Sequence, residues 1–114
     1  MAGKATKKEE FEVGSGNVYE DLGYKDADGM ARKSALVHRM EAIIRDRGMT
    51  QTQAAEVLGV DQSDLSKILR GQFRSISLEK ILSMLIKLGE DITINVHTKP
   101  IEEAREAHLL VAFG

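Results

Sequence analysis

The stretch Met49 to Gly71, M-T-Q-T-Q-A-A-E-V-L-G-V-D-Q-S-D-L-S-K-I-L-R-G, decides the fold. Thr50 followed three residues later by Gln53 is a capping-box pair. The hydroxyl takes the free amide at the third helical position, and the glutamine side chain reaches back to the amide of the cap. A helix therefore starts at Thr50. Its inward positions are Ala54, Ala55, Val57 and Leu58, and it stops at Gly59, because glycine adopts the left-handed, helix-closing conformation with the least strain. After the brief Gly59-Val60 turn, Asp61 can cap a second helix. In that helix Leu65, Ile68 and Leu69 fall at i, i+3 and i+4, and Gly71 ends it. Two short helices joined by a tight glycine turn make a helix-turn-helix.

The face opposite Leu65, Ile68 and Leu69 carries Gln62, Ser63, Ser66, Lys67 and Arg70, and none of them is apolar. Glutamine pairs bidentately with adenine N6 and N7, serine serves either base type, and lysine and arginine reach guanine or phosphate. The first turn of such a helix is where base edges are met, and here that turn holds Gln62, Ser63 and Asp64. The pattern points to double-stranded DNA as the partner.

The same stretch resembles, without gaps, the DNA-binding motif of the phage lambda repressor and Cro (XRE) family. Within that family the chain is most similar to the HigA-type antitoxins, small cytoplasmic proteins that repress their own operon and neutralise a RelE-like ribonuclease toxin. The resemblance runs over roughly Asn17 to Thr98. It rests on N-V-Y-E-D-L-G-Y at Asn17 to Tyr24, T-Q-x-x-A-A-x-x-L-G-V at Thr50 to Val60, Q-S-x-x-S-K-I-L-R-G at Gln62 to Gly71, and F-R-S-I-S-L-E-K-I-L at Phe73 to Leu82. It implies an all-α, lambda repressor-like fold. The contact set expected on DNA is Thr50, Gln51, Gln62, Ser63, Asp64, Ser66, Lys67, Arg70 and Arg74. Gln51 lies where the family's exposed helix-start amides meet a phosphate, and its side chain clamps both the backbone and the first base-reading residue. Arg70 and Arg74 are expected as phosphate clamps, which position the protein without specifying sequence. The plain alternative for Gln51, Ser63, Ser66 and Lys67 is solvent exposure alone. Asp64 departs from the pattern, since a carboxylate repels phosphate unless it accepts from cytosine N4 or merely caps the helix.

Composition bounds the rest. At 114 residues the chain holds one small domain plus tails. With 42% hydrophobic residues, 4% aromatics and no tryptophan, the core must be aliphatic and thin, so a second subunit is expected to complete it. The absence of cysteine excludes a disulfide framework and thiol catalysis. No apolar stretch approaches the ~20 residues a membrane span needs. The opening M-A-G-K-A-T-K-K lacks the apolar core of a signal peptide, so a soluble cytoplasmic protein is expected. A net charge of -2 is unusual for a nucleic-acid binder, but the charge is segregated. Lys67, Arg70 and Arg74 cluster around the end of the recognition helix, whereas Glu9, Glu10, Glu12, Glu20, Asp21, Asp26 and Asp28 crowd the N-terminal arm. No nucleophile stands with a base, no paired carboxylates line a cleft, and no glycine loop could cradle a phosphate. An enzyme is not expected, and neither is a cofactor. His38 has no second ligand at i+4, and His97 and His108 read as surface residues, so no metal site is expected.

Three segments follow: an acidic arm over 1–30, a helix-turn-helix domain over 31–90, and a strand with a tail over 91–114. Met1 to Gly16 is poor in large apolar residues and reads as disordered. The side chains of Val18, Tyr19, Leu22 and Tyr24 either fold back on the helical core or form an acidic, aromatic segment for a basic partner. The family resemblance implies the second, with Phe11, Val13, Val18, Tyr19, Leu22 and Tyr24 as the toxin-binding set. From Ala31 to Arg47, Leu36, Met40, Ile43 and Ile44 mark an amphipathic scaffold helix ended at Gly48, with Arg45 and Arg47 either solvated or near the DNA backbone. Ser77 can cap a further helix, flanked by Ile76 and Ile81. Leu78, Ile81, Leu82, Leu85, Ile86 and Leu88 cover more than one stripe of it, so cover on two sides is expected, the domain core on one and a subunit contact as the candidate for the other.

Asp91 to Thr98 then alternates Ile92, Ile94 and Val96 with Thr93, Asn95 and His97, the pattern of a half-buried strand ended by Pro100. A lone strand leaves its backbone groups unpaired. Leu109 to Phe113, Phe11 to Val13, or the same strand of a second copy could pair with it. The resemblance implies the last, a homodimer joined through Ile92, Ile94 and Val96 across a two-fold axis and seated on a palindromic operator. The tail holds E-E-A-R-E-A, a short-helix pattern, before H-L-L-V-A-F-G, which either docks or adds a strand. A stand-alone phage or chromosomal repressor without a toxin is the alternative function.

Overall fold

The computed structural model describes residues 9–12, 26–106 and 109–113. Four α-helices follow in order: α1 (Ala27–Asp46), α2 (Gln51–Leu58), α3 (Gln62–Leu69) and α4 (Leu78–Lys87). Two short strands, β1 (Glu9–Glu12) and β2 (Leu110–Phe113), and a 3-10 helix over Ile101–Glu106 complete the described chain. The chain divides into two compact units, Lys33–Thr93 and the pair of chain ends, Met1–Arg32 with Ile94–Gly114.

In the first unit each helix starts and stops where its local chemistry dictates. Thr50 caps α2 with both halves of the box made: its hydroxyl accepts from the Gln53 amide at 3.1 Å, and the Gln53 side-chain oxygen accepts from the Thr50 amide at 2.9 Å. Gly59 closes the helix at φ 71°. Its N–H donates to the Glu56 carbonyl and that of Val60 to the Ala55 carbonyl, the paired bonds of a Schellman end. Lys87 Nζ reaches from α4 to donate to the Leu58 carbonyl at 3.3 Å, so a cation sits where α2 ends in partial negative charge. Ser77 caps α4 by accepting from the Lys80 amide at 3.1 Å.

The core of this unit is aliphatic, as a chain with no tryptophan requires. Leu36, Val37, Met40, Ile43 and Ile44 enter it from α1, Ala54, Ala55 and Leu58 from α2, Leu65 and Ile68 from α3, and Ile81, Met84 and Leu85 from α4, with Phe73 and Leu88 between and after. Met40, Leu58, Leu65, Ile81 and Met84 are its largest fully enclosed side chains. Arg39 Nε and Glu90 Oε1, 3.1 Å apart, join α1 to the residue after the Gly89 turn.

Several sequence expectations are corrected. Helix α1 begins at Ala27 rather than Ala31, because the Asp26 carboxylate accepts from the Gly29 amide at 3.1 Å and so makes a cap before the apolar repeat begins. Val57 is not an inward residue: it is 48% exposed. At about 100° per residue it lies some 110° from the line through Ala54, Ala55 and Leu58, on the helix flank. Asp61 holds the N-cap position of α3 with extended backbone, but its side chain makes no capping bond. Helix α4 buries one side in the core, and on the other Leu78 and Leu82 are half-buried and Ile86 is 57% exposed, so the second expected cover is not supplied by the single chain. The short helix expected in the tail is a 3-10 helix over Ile101–Glu106.

The largest difference lies at the chain ends. Asp91 to Thr98 carries no strand within the single chain. The two intrachain segments that could have paired with it pair with each other: β1 runs antiparallel to β2, with Glu9 opposite Phe113, Glu10 opposite Ala112, Phe11 opposite Val111 and Glu12 opposite Leu110. A strand exists only where a ladder satisfies its backbone. Glu9–Glu12 therefore belongs to a ribbon although it falls in the stretch read as disordered, and the tail supplies the second strand.

Candidate nucleic-acid interface

The exposed surface of α3 is built by default: once Leu65 and Ile68 are buried, Gln62, Ser63, Asp64 and Lys67 must face water, with Arg70 continuing the ridge past the helix end. All five are exposed and Ser66 is half-buried. Stepping about 100° per residue, Gln62, Ser63, Ser66, Lys67 and Arg70 share one face. Asp64 stands about 130° from the middle of that face, at its border. There its carboxylate lies in the first turn, where the helix dipole favours negative charge.

One hydrogen bond ties down the N-terminal end of this ridge. Gln62 Nε2 donates to Gln51 Oε1 at 3.0 Å, joining the first residue of α3 to the first residue of α2. A carboxamide offers two N–H donors and an oxygen with two lone pairs. Spending one N–H of Gln62 on Gln51 leaves the other N–H and the oxygen, the pair that adenine N7 and N6 require. Gln51 uses its oxygen in this bond and keeps both of its own N–H donors. The capping box engages the Thr50 and Gln53 amides, while the Gln51 and Thr52 amides have no acceptor among the described residues. Helix-start amides without a protein acceptor are ready donors to an anion. Thr50 is itself held by the cap.

Past the helix, Gln72 donates to the Lys67 carbonyl, and a turn over Phe73 to Ile76 closes through the Ile76 amide and the Phe73 carbonyl at 3.0 Å. Arg74 stands exposed in that turn. Its carbonyl accepts from Lys33 Nζ of α1 at 3.0 Å, a contact sequence reading missed, because nothing local links residues 41 positions apart. Arg45 is exposed and lies 3.5 Å from Asp46. Phe11 of the expected toxin-binding set sits in β1 opposite Val111, whereas Val13, Val18, Tyr19, Leu22 and Tyr24 lie outside the described residues. Of the expected dimer contacts, Ile92 is half-buried and Ile94 and Val96 are 72% and 86% exposed. Among the described residues no group of three histidine, cysteine or acidic side chains could hold a metal ion, and no helix is long and apolar enough to cross a membrane.

A family model described as a helix-turn-helix domain matches residues 18–97. Among solved structures, a chain described as a candidate XRE-family transcriptional regulator superposes with a TM-score of 0.62 at 28% sequence identity, covering 67% of this chain and 85% of that one. The chain belongs to the XRE family of helix-turn-helix transcriptional regulators. No curated protein matches it significantly. The polar ridge of α3 lies within the matched residues. The family match extends to residue 97, past α4 and through Ile92, Ile94 and Val96.

Proposed function

We propose that this XRE-family regulator is the antitoxin of a type II toxin-antitoxin system. In this reading it represses its own operon as a homodimer on a palindromic operator and neutralises a RelE/HigB-like ribonuclease through its N-terminal arm. The observation that carries the antitoxin reading is the division of charge. Cations gather at the DNA-reading ridge, whereas three of the four residues of β1 are glutamates, followed along the arm by Glu20 and Asp21. A DNA-binding unit gains nothing from an acidic, aromatic arm, but a basic ribonuclease is complementary to one.

The DNA roles assigned are base reading by Gln62, Ser63 and Ser66, phosphate contact by Thr50, Gln51, Lys67, Arg70 and Arg74, and a bordering role for Asp64. The homodimer is supported by exposed apolar side chains at Ile94 and Val96 in a segment with no ladder of its own, and by the Leu78, Leu82, Ile86 stripe left open on α4. Pairing of 91–98 across a two-fold axis sets two recognition helices about 34 Å apart, one turn of duplex.

The test is to seek a short basic RelE/HigB-like reading frame beside the gene and to co-express its product with the full chain. The full chain should capture the product as a complex containing two copies of itself and protect a site upstream of its own gene. Deleting residues 1–24 should abolish capture while the footprint persists. Capture that survives the deletion refutes the arm assignment. A footprint with no captured toxin in either case leaves the stand-alone repressor as the function.

A further inference from the structure

The turn after the recognition helix is held from three directions. Phe73, 2% exposed, plugs its first residue into the core, and the Ile76 amide closes it onto the Phe73 carbonyl at 3.0 Å. The closing bond does not use the Arg74 carbonyl, which points to Lys33 instead: Nζ lies 3.0 Å from it. An ammonium group has three donors, and a charged donor makes a bond roughly twice as strong as a neutral one. Lys33 is half-buried on α1, so its stem is confined.

We propose that Lys33 is a positioning residue for DNA binding, fixing the Phe73 to Ile76 turn so that Arg74 meets the phosphate backbone in register with the α3 ridge. It acts through the Arg74 backbone and reads no base. The contact surface on DNA is therefore set from α1 as well as from the helix-turn-helix itself. This rests on the reading of Arg74 as a phosphate contact.

Because phosphate contacts are independent of sequence, a random duplex of about 30 base pairs is a sufficient probe, titrated at low salt with melting curves recorded in parallel. For folded proteins, Lys33→Met should weaken binding about fivefold and Arg74→Ala about tenfold. The double variant should stay near tenfold, because Lys33 works through Arg74. Lys33→Arg, which still donates to the carbonyl, should bind within about twofold of the parent. If Lys33→Met fails to fold, Lys33→Gln, too short to hold the carbonyl, carries the same comparison. Additive losses near fiftyfold, or an undiminished affinity for Lys33→Met, overturn the proposal while leaving the Arg74 reading intact. Wild-type binding by Arg74→Ala refutes the phosphate contact and the proposal with it.

Discussion

The helix-turn-helix unit and the chain ends follow opposite rules of assembly. In the first, the bonds that start and stop helices span three to five residues: Thr50 with Gln53, Gly59 with Glu56, Val60 with Ala55, Ser77 with Lys80. In the second, Glu9 pairs with Phe113, close to the full length of the chain. Short loops close at little entropic cost and long ones only when enough contacts repay it. A two-stranded ribbon by itself is marginal in water. The helix-turn-helix unit is thus built from local instructions, and the terminal ribbon from remote ones.

The comparison is most sharply broken at Leu65, fully enclosed where α3 meets the core. Leu65→Ala should destabilise the unit by about 2 to 5 kcal/mol, read by urea denaturation. A loss under about 1 kcal/mol would mean that α3 is not seated as described. Next comes Gln62→Ala, which should cost on the order of 1 to 3 kcal/mol on the operator and little on random DNA. Equal losses on both would reduce Gln62 to a backbone contact. The smallest effect belongs to the ribbon: removing residues 109–114 should shift the urea stability of the helix-turn-helix unit by less than about 1 kcal/mol. A larger shift would show that the two units fold as one.

What was legible in the sequence follows the same division. The Thr50 box, the Gly59 stop, the Ser77 cap and the apolar repeat through Leu36, Met40, Ile43 and Ile44 are short-range signals, and the structure has each of them. The start of α1 was misplaced because the apolar repeat begins later than the Asp26 cap. Val57 was misjudged because an apolar residue type does not reveal which flank of a short helix it occupies. In the candidate site, the Gln51 to Gln62 bond joins two residues that the motif brought forward. Lys33 was not legible, since its partner is a backbone carbonyl and a carbonyl leaves no mark in sequence. Nor was the choice made by residues 110–113 between candidate strands, which compete through backbone groups that every segment possesses.

In the proposed DNA-reading role, the bond between Gln51 and Gln62 bears on how operator preference can change. A carboxamide turned end for end offers donors where it had offered an acceptor, so Gln51 can hold an arginine at position 62 through its oxygen or a glutamate through its nitrogen. The holder need not mutate when the reader does. In that proposed role, one substitution at position 62 is then enough to change the base preferred there.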